Sequence, residues 1–173
     1  MENRDHVLYK KFRLHKVFIP RYILLDTGKY LMEHGLNRKE GMVLWSGIKL
    51  KNNMATIKSC IHPQQYCTPI SFEVSLDESQ RVNVHLENKK EVIIAQVHSH
   101  PSIAFHSVTD DNFPFTFTIG LFSIVVPNFC KNGLRNLLRC RIWEHIGLGK
   151  WKEQKPCEIE ERFIIFNRKE ETQ

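Results

Sequence analysis

Residues Glu91 to His98 read EVIIAQVH, and the chain continues as Ser99-His100-Pro101. The β-branched run predicts a buried strand that delivers His98 and His100 at its C-terminal end. Side chains two apart on an extended backbone point to the same side, so the pair offers two imidazoles to one ion. Pro101 then turns the chain. A carboxylate returning from the following loop completes a three-ligand site and leaves a fourth position for water, the arrangement of a catalytic zinc. Downstream, Ser107-Val108-Thr109-Asp110-Asp111 provides that carboxylate. Ser107-x-x-Asp110 also has the spacing of a helix N-cap and its third residue, and both readings can hold at once.

Upstream of this strand, Met42 to Leu50 and Ala55 to Ile61 are short apolar runs joined by Lys51-Asn52-Asn53, which has the chemistry of a hairpin turn. Ile70 to Val74 is expected to extend the same sheet. Ile23, Leu24, Tyr30 and Leu31 share one helical face, which predicts an amphipathic helix over about residues 20–34, with Pro20 in its first turn and Gly35 as its stop. Val17 to Ile19 forms a short strand or packed lead-in. Ser75-x-x-Glu78 fits a capping box, yet Val82, Val84 and Leu86 alternate as a strand does; periodicity leaves that segment open.

Further along, Leu121 to Val126 reads as a strand ended by Pro127. Leu138 to Ile146 and Arg162 to Phe166 read as two more, with Gly147 and Gly149 turning the chain between them. With 173 residues and 42% hydrophobic content, we expect one domain over residues 1–173, with its core at about 20–127 and a C-terminal extension at about 128–173. The first eighteen residues are basic rather than apolar, and no run approaches the length of a membrane helix. A soluble, cytoplasmic, non-exported protein without a membrane partner is expected. Five cysteines, an odd number without a C-x-x-C pair, point to reduced thiols. The net charge of +6 comes from scattered basic residues, with no recognition helix or aromatic platform, so nucleic acid is not the expected partner. His62, His85 and His145 lack a partner at ligand spacing in the sequence and read as surface or packing histidines. Cys67 and Cys140 have no identifiable activating base there.

The string HSHPSIAFHSVTDD at residues 98–111 resembles the JAMM motif of JAB/MPN+ metalloproteases: H-x-H-P, a short loop, then S-x-x-D, with a glutamate far upstream. Carried over position by position, the resemblance makes His98, His100 and Asp110 the ligands of a Zn2+ ion and places Ser107 beside it. The family's spacing is one residue longer than the interval to Asp110. Asp111 is therefore the alternative ligand, although Asp110 preserves S-x-x-D. Glu40-Gly41-Met42-Val43-Leu44-Trp45-Ser46-Gly47 is similar to the family's upstream pattern, which makes Glu40 the general base; on charge alone it reads as an exposed acid in a loop.

The resemblance implies an α+β domain of the JAB/MPN (cytidine-deaminase-like) type, a mixed curved β-sheet flanked by helices. It also implies a zinc isopeptidase acting behind the C-terminal tail of a ubiquitin-like protein. The AFHS-x-T-D-D segment and the following GLFSIVVP are similar to bacterial members encoded beside E1-like and E2-like enzymes. Two alternatives are a JAMM hydrolase acting on a sulfur-carrier adduct and a metal-free MPN scaffold. The full ligand set argues against the second.

Overall fold

The computed structural model describes residues 13–103 and 118–167. An eight-stranded mixed sheet in the order β10-β1-β3-β2-β6-β7-β8-β9 dominates it. Its strands are β1 (Lys16–Pro20), β2 (Met42–Leu50), β3 (Met54–Ile61), β6 (Val92–Ser99), β7 (Phe122–Val126), β8 (Arg141–Gly147), β9 (Lys150–Glu153) and β10 (Phe163–Phe166). Among the described residues there are three α-helices, here α1 (Arg21–Leu36), α2 (Leu76–Lys89) and α3 (Pro156–Arg162). No helix among the described residues is long and apolar enough to cross a membrane.

Strand alternation sends the side chains of β2 to two cores. Val43 and Trp45 join the main core with Ile23, Leu24 and Leu31 of α1. Met42 and Leu44 pack with Val82 and Leu86 of α2. The two helices thus cover opposite faces, and the Trp45 indole N–H donates to Thr27 Oγ1 of α1 at 2.8 Å. The helix predicted at 20–34 runs from Arg21 to Leu36, with Pro20 as its N-cap and the last residue of β1. The segment left open at 76–89 is helical: the Ser75 hydroxyl caps it by accepting the Glu78 N–H. Glu78 does not reach back to complete a capping box. Its carboxylate accepts the Gln64 N–H at 2.8 Å and ties α2 to the loop that follows β3.

The β2–β3 hairpin turns through Asn52 and Asn53, both left-handed at φ 57° and 54°, as asparagine tolerates. Ile70 to Val74 does not extend the main sheet. Instead β5 (Phe72–Glu73) pairs with β4 (Tyr66–Cys67) in a separate two-stranded sheet, because the polar turn at residues 68–71 folds the chain back on itself, with Thr68 N–H donating to Ser71 O. The late strand predicted from Leu138 begins at Arg141.

The sheet curls. Register shifts fall beside Ser46 in the pairing of β2 with both of its neighbours, and such bulges bend and twist a strand. At Gly47 any Cβ would lie 2.0 Å from Thr56 O, so only glycine fits the bend. The curl brings the junction of α3 and β10 over β7 and β8. Phe163 meets the Phe122 ring edge-on at 4.9 Å, and Arg162 makes a bidentate pair with Glu144 at 2.7 and 2.8 Å.

Candidate metal centre

His98 and His100 leave the end of β6 as buried side chains, at 0% and 3% exposure. Their Nε2 atoms lie 3.2 Å apart. Two imidazole nitrogens on one tetrahedral zinc, each at about 2.05 Å, would be separated by ~3.3 Å. The observed spacing fits a shared ion without rearrangement. Phe72 packs beside His98 with ring centroids 5.4 Å apart.

Backbone bonds fix these histidines from both sides. Ser99 N–H donates to Gly41 O at 3.0 Å, and Gly41 N–H donates to Ser99 Oγ at 3.3 Å. On the other side His100 N–H donates to Val126 O at 2.9 Å, and His100 O accepts Phe129 N–H at 2.7 Å. Phe129 belongs to a turn in which Asn128, Phe129 and Cys130 are all left-handed, at φ 50–55°. That conformation strains non-glycine residues. The turn packs against α1 where Gly35 allows contact, since a Cβ there would lie 2.4 Å from Phe129 O.

Glu40 is buried, at 4% exposure, two residues before β2. Met42 pairs with His98 in the antiparallel β2–β6 ladder, and continuing that register puts Glu40 across from His100. The loop acid of the charge-based reading is therefore at the histidines. Its N–H donates to Thr68 O at 2.8 Å. Ser107, Asp110 and Asp111 lie outside the described residues.

Sequence reasoning missed Gln65. At Met42 the strand has run past the end of β3, and the Gln65 side chain takes the place of a partner strand. Its Oε1 accepts Met42 N–H at 2.9 Å, and its Nε2 donates to Met42 O at 2.6 Å. The same Nε2 lies 3.0 Å from Tyr30 Oη, and Cys67 S–H donates to Oε1 at 3.4 Å. A lone glutamine in a loop gives no sequence signal for this role.

The cysteines are free thiols. Burial pushes Cys130 up to about 11 and Cys140 up to about 12, so neither is a thiolate nucleophile near neutrality. His145 is a packing histidine: it is buried, its Nδ1 is 3.2 Å from Thr118 O, and its ring lies 5.1 Å from that of Trp151. His62 is an exposed histidine stacked on Tyr30, in keeping with the surface reading. It has two partners at ligand distance, Asp26 and Cys60, brought together from other elements by the fold.

No protein-family model matches the chain. It is 34% identical over 118 residues to the probable metalloprotease y4jG of Sinorhizobium fredii, an alignment that covers 66% of this chain and 73% of that protein. Its fold is similar to the solution structure of protein DSY2949 from Desulfitobacterium hafniense. That match has a TM-score of 0.64 at 12% identity and covers 90% of this chain and 97% of the other.

Proposed function

Because this chain belongs to the metalloprotease family of y4jG, we propose that it is a zinc peptidase of the JAMM type, with the ion held between His98 and His100. The observation that carries this reading is the 3.2 Å approach of the two buried Nε2 atoms. Asp110 is the proposed third ligand, on the strength of the resemblance at S-x-x-D. Bound there, zinc supplies Lewis-acid activation of a water and of the scissile carbonyl.

The remaining chemistry falls to side chains. Glu40, across from His100 by register, takes a proton from the attacking water and returns it to the leaving amine. A carboxylate held away from bulk water suits this role, and Glu40 is buried at the register position across from His100. Ser107 donates its hydroxyl to the developing oxyanion, a contact worth about 3 kcal/mol in a water-poor site.

The proposed substrate is the C-terminal tail of a ubiquitin-like protein, joined through a peptide or isopeptide bond, with E1-like and E2-like enzymes as associated partners. The resemblance of residues 98–127 to such hydrolases supports it, and free thiols fit the proposed cytoplasmic setting.

Metal content by mass spectrometry, paired with cleavage of ubiquitin-like fusions before and after chelation, tests the proposal. Zinc bound by wild type, reduced in His100→Ala and in Asp110→Ala, is the expected result. Retention in Asp110→Ala moves the ligand to Asp111. Absence of metal after zinc reconstitution would overturn the reading and leave a non-catalytic scaffold. Cleavage confined to small adducts of a sulfur carrier would replace the substrate class alone.

A further inference from the structure

We propose that Asp26, Cys60 and His62 form a second site for a zinc-class divalent cation, separate from the His98–His100 pair. Asp26 comes from α1, Cys60 from the end of β3 and His62 from the loop that follows. Their ligand atoms all lie within 4.8 Å of one another. His62 Nε2 is 3.2 Å from Asp26 Oδ2 and 3.5 Å from Cys60 Sγ. On a tetrahedral zinc, with bonds of about 2.0–2.1 Å to nitrogen or oxygen and 2.3 Å to sulfur, those separations come to ~3.3 and ~3.5 Å. Both observed distances match within 0.1 Å or so of what a shared ion requires.

A nucleophilic use of these groups fits less well. In a cysteine nucleophile triad the thiol and the carboxylate use opposite nitrogens of the imidazole. Here both face Nε2, and burial pushes the Cys60 thiol up to about 12. Without an ion the Cys60 thiol hydrogen-bonds the Asp26 carboxylate, which also lies within reach of His62 Nε2. A cation on the Nε2 lone pair would replace those bonds and engage all three groups. Cys60 loses its thiol proton to solvent, and thiolate and carboxylate together neutralise a divalent ion. A thiolate–imidazole–carboxylate set selects zinc-like ions over magnesium or calcium.

The neighbours hold the ligands in place. The Tyr30 ring stacks on His62 at 4.3 Å, and Thr27 Oγ1 lies 3.4 Å from Cys60 Sγ. The Asp26 and His62 side chains are 46% and 33% exposed, so a solvent water completes the coordination. The ion would staple α1 to the loop in which Gln65 and Thr68 hold Met42 and Glu40. It is a structural brace beside the catalytic machinery.

The test uses the full chain, stripped of metal and titrated with Co2+ alone, because only a thiolate ligand gives a near-ultraviolet sulfur-to-cobalt charge-transfer band. The band is expected in wild type and in His98→Ala, lost in Cys60→Ser and weakened in Asp26→Asn. Its absence from wild type, its persistence in Cys60→Ser or its loss only in Cys67→Ser would overturn the proposal. Zinc stoichiometry separates the two sites: two equivalents are expected in wild type and one in either Cys60→Ser or His100→Ala. A wild type holding only the equivalent that His100→Ala removes overturns the second site. One holding only the equivalent that Cys60→Ser removes overturns the first.

Discussion

Glu144→Ala should be among the most damaging substitutions outside the candidate metal centre. The Glu144 carboxylate is fully buried and receives both terminal nitrogens of Arg162, itself 4% exposed. Removing it leaves a guanidinium in a water-poor site, with Gln154 and the Leu14 carbonyl as remaining partners and the Phe122 ring beneath it at 4.9 Å. Breaking a buried pair from one side costs about 3–5 kcal/mol. The surviving Leu14 bond argues for the lower end, about 3 kcal/mol. For a chain of this size each kcal/mol moves the melting temperature by about 2–4 °C, giving a fall on the order of 10 °C. Thermal unfolding followed by circular dichroism reads it directly. The double variant Glu144→Leu, Arg162→Met should recover most of the loss, since no unpaired charge stays behind. A single variant melting within about 2 °C of wild type would refute the idea that this pair fastens the curl of the sheet.

Glu40→Gln should retain metal while turnover falls by at least ~10²-fold, as expected for loss of a general base; metal analysis alongside a cleavage assay separates that from loss of the ion. Gln65→Ala leaves both polar groups of the Met42 backbone without their side-chain partner and should cost about 1–3 kcal/mol. Hydrogen exchange should show faster opening at Met42 than at Trp45. The Arg81 guanidinium, aided by the Gln64 N–H, holds the Glu78 carboxyl below the usual carboxylate range. Its stabilising contribution is therefore complete above that range and is lost as the pH falls through the lowered native value. Glu78→Gln should flatten the acid limb of a stability–pH profile, and an unchanged limb would show that other carboxylates dominate it.

Elements with a single strong period were legible in the sequence. The buried strand ending in His98 and His100 was clear because alternation alone puts both rings on one side. Residues 76–89 were ambiguous because two periods overlapped, and the helix prevails through the Ser75 cap and the burial of Val82 and Leu86. The β4–β5 pair escaped notice because two-residue strands carry no period. α3 has only seven residues, and Arg162, read from the sequence as the start of a strand, is instead its last residue, buried against Glu144. The Asp26, Cys60 and His62 cluster could not be read locally at all. Asp26 precedes Cys60 by 34 positions, and only the packing of α1 on β3 joins them.

The place of the candidate metal centre follows from how β6 is paired. Its neighbour β2 is antiparallel and its neighbour β7 is parallel. At the C-terminal end of β6 an antiparallel neighbour contributes its beginning and a parallel neighbour its end. Glu40 and Gly41 therefore arrive from one side, and Val126 with the strained turn at 128–130 from the other. The arrangement depends on register. A slip of one residue between β2 and β6 would flip every β2 side chain to the opposite face and carry Glu40 away from His100. The Gly41–Ser99 bonds and the Gln65 clamp on Met42 act against that slip, so the residue between the two histidines has work of its own: its hydroxyl and its amide both hold the segment that carries Glu40.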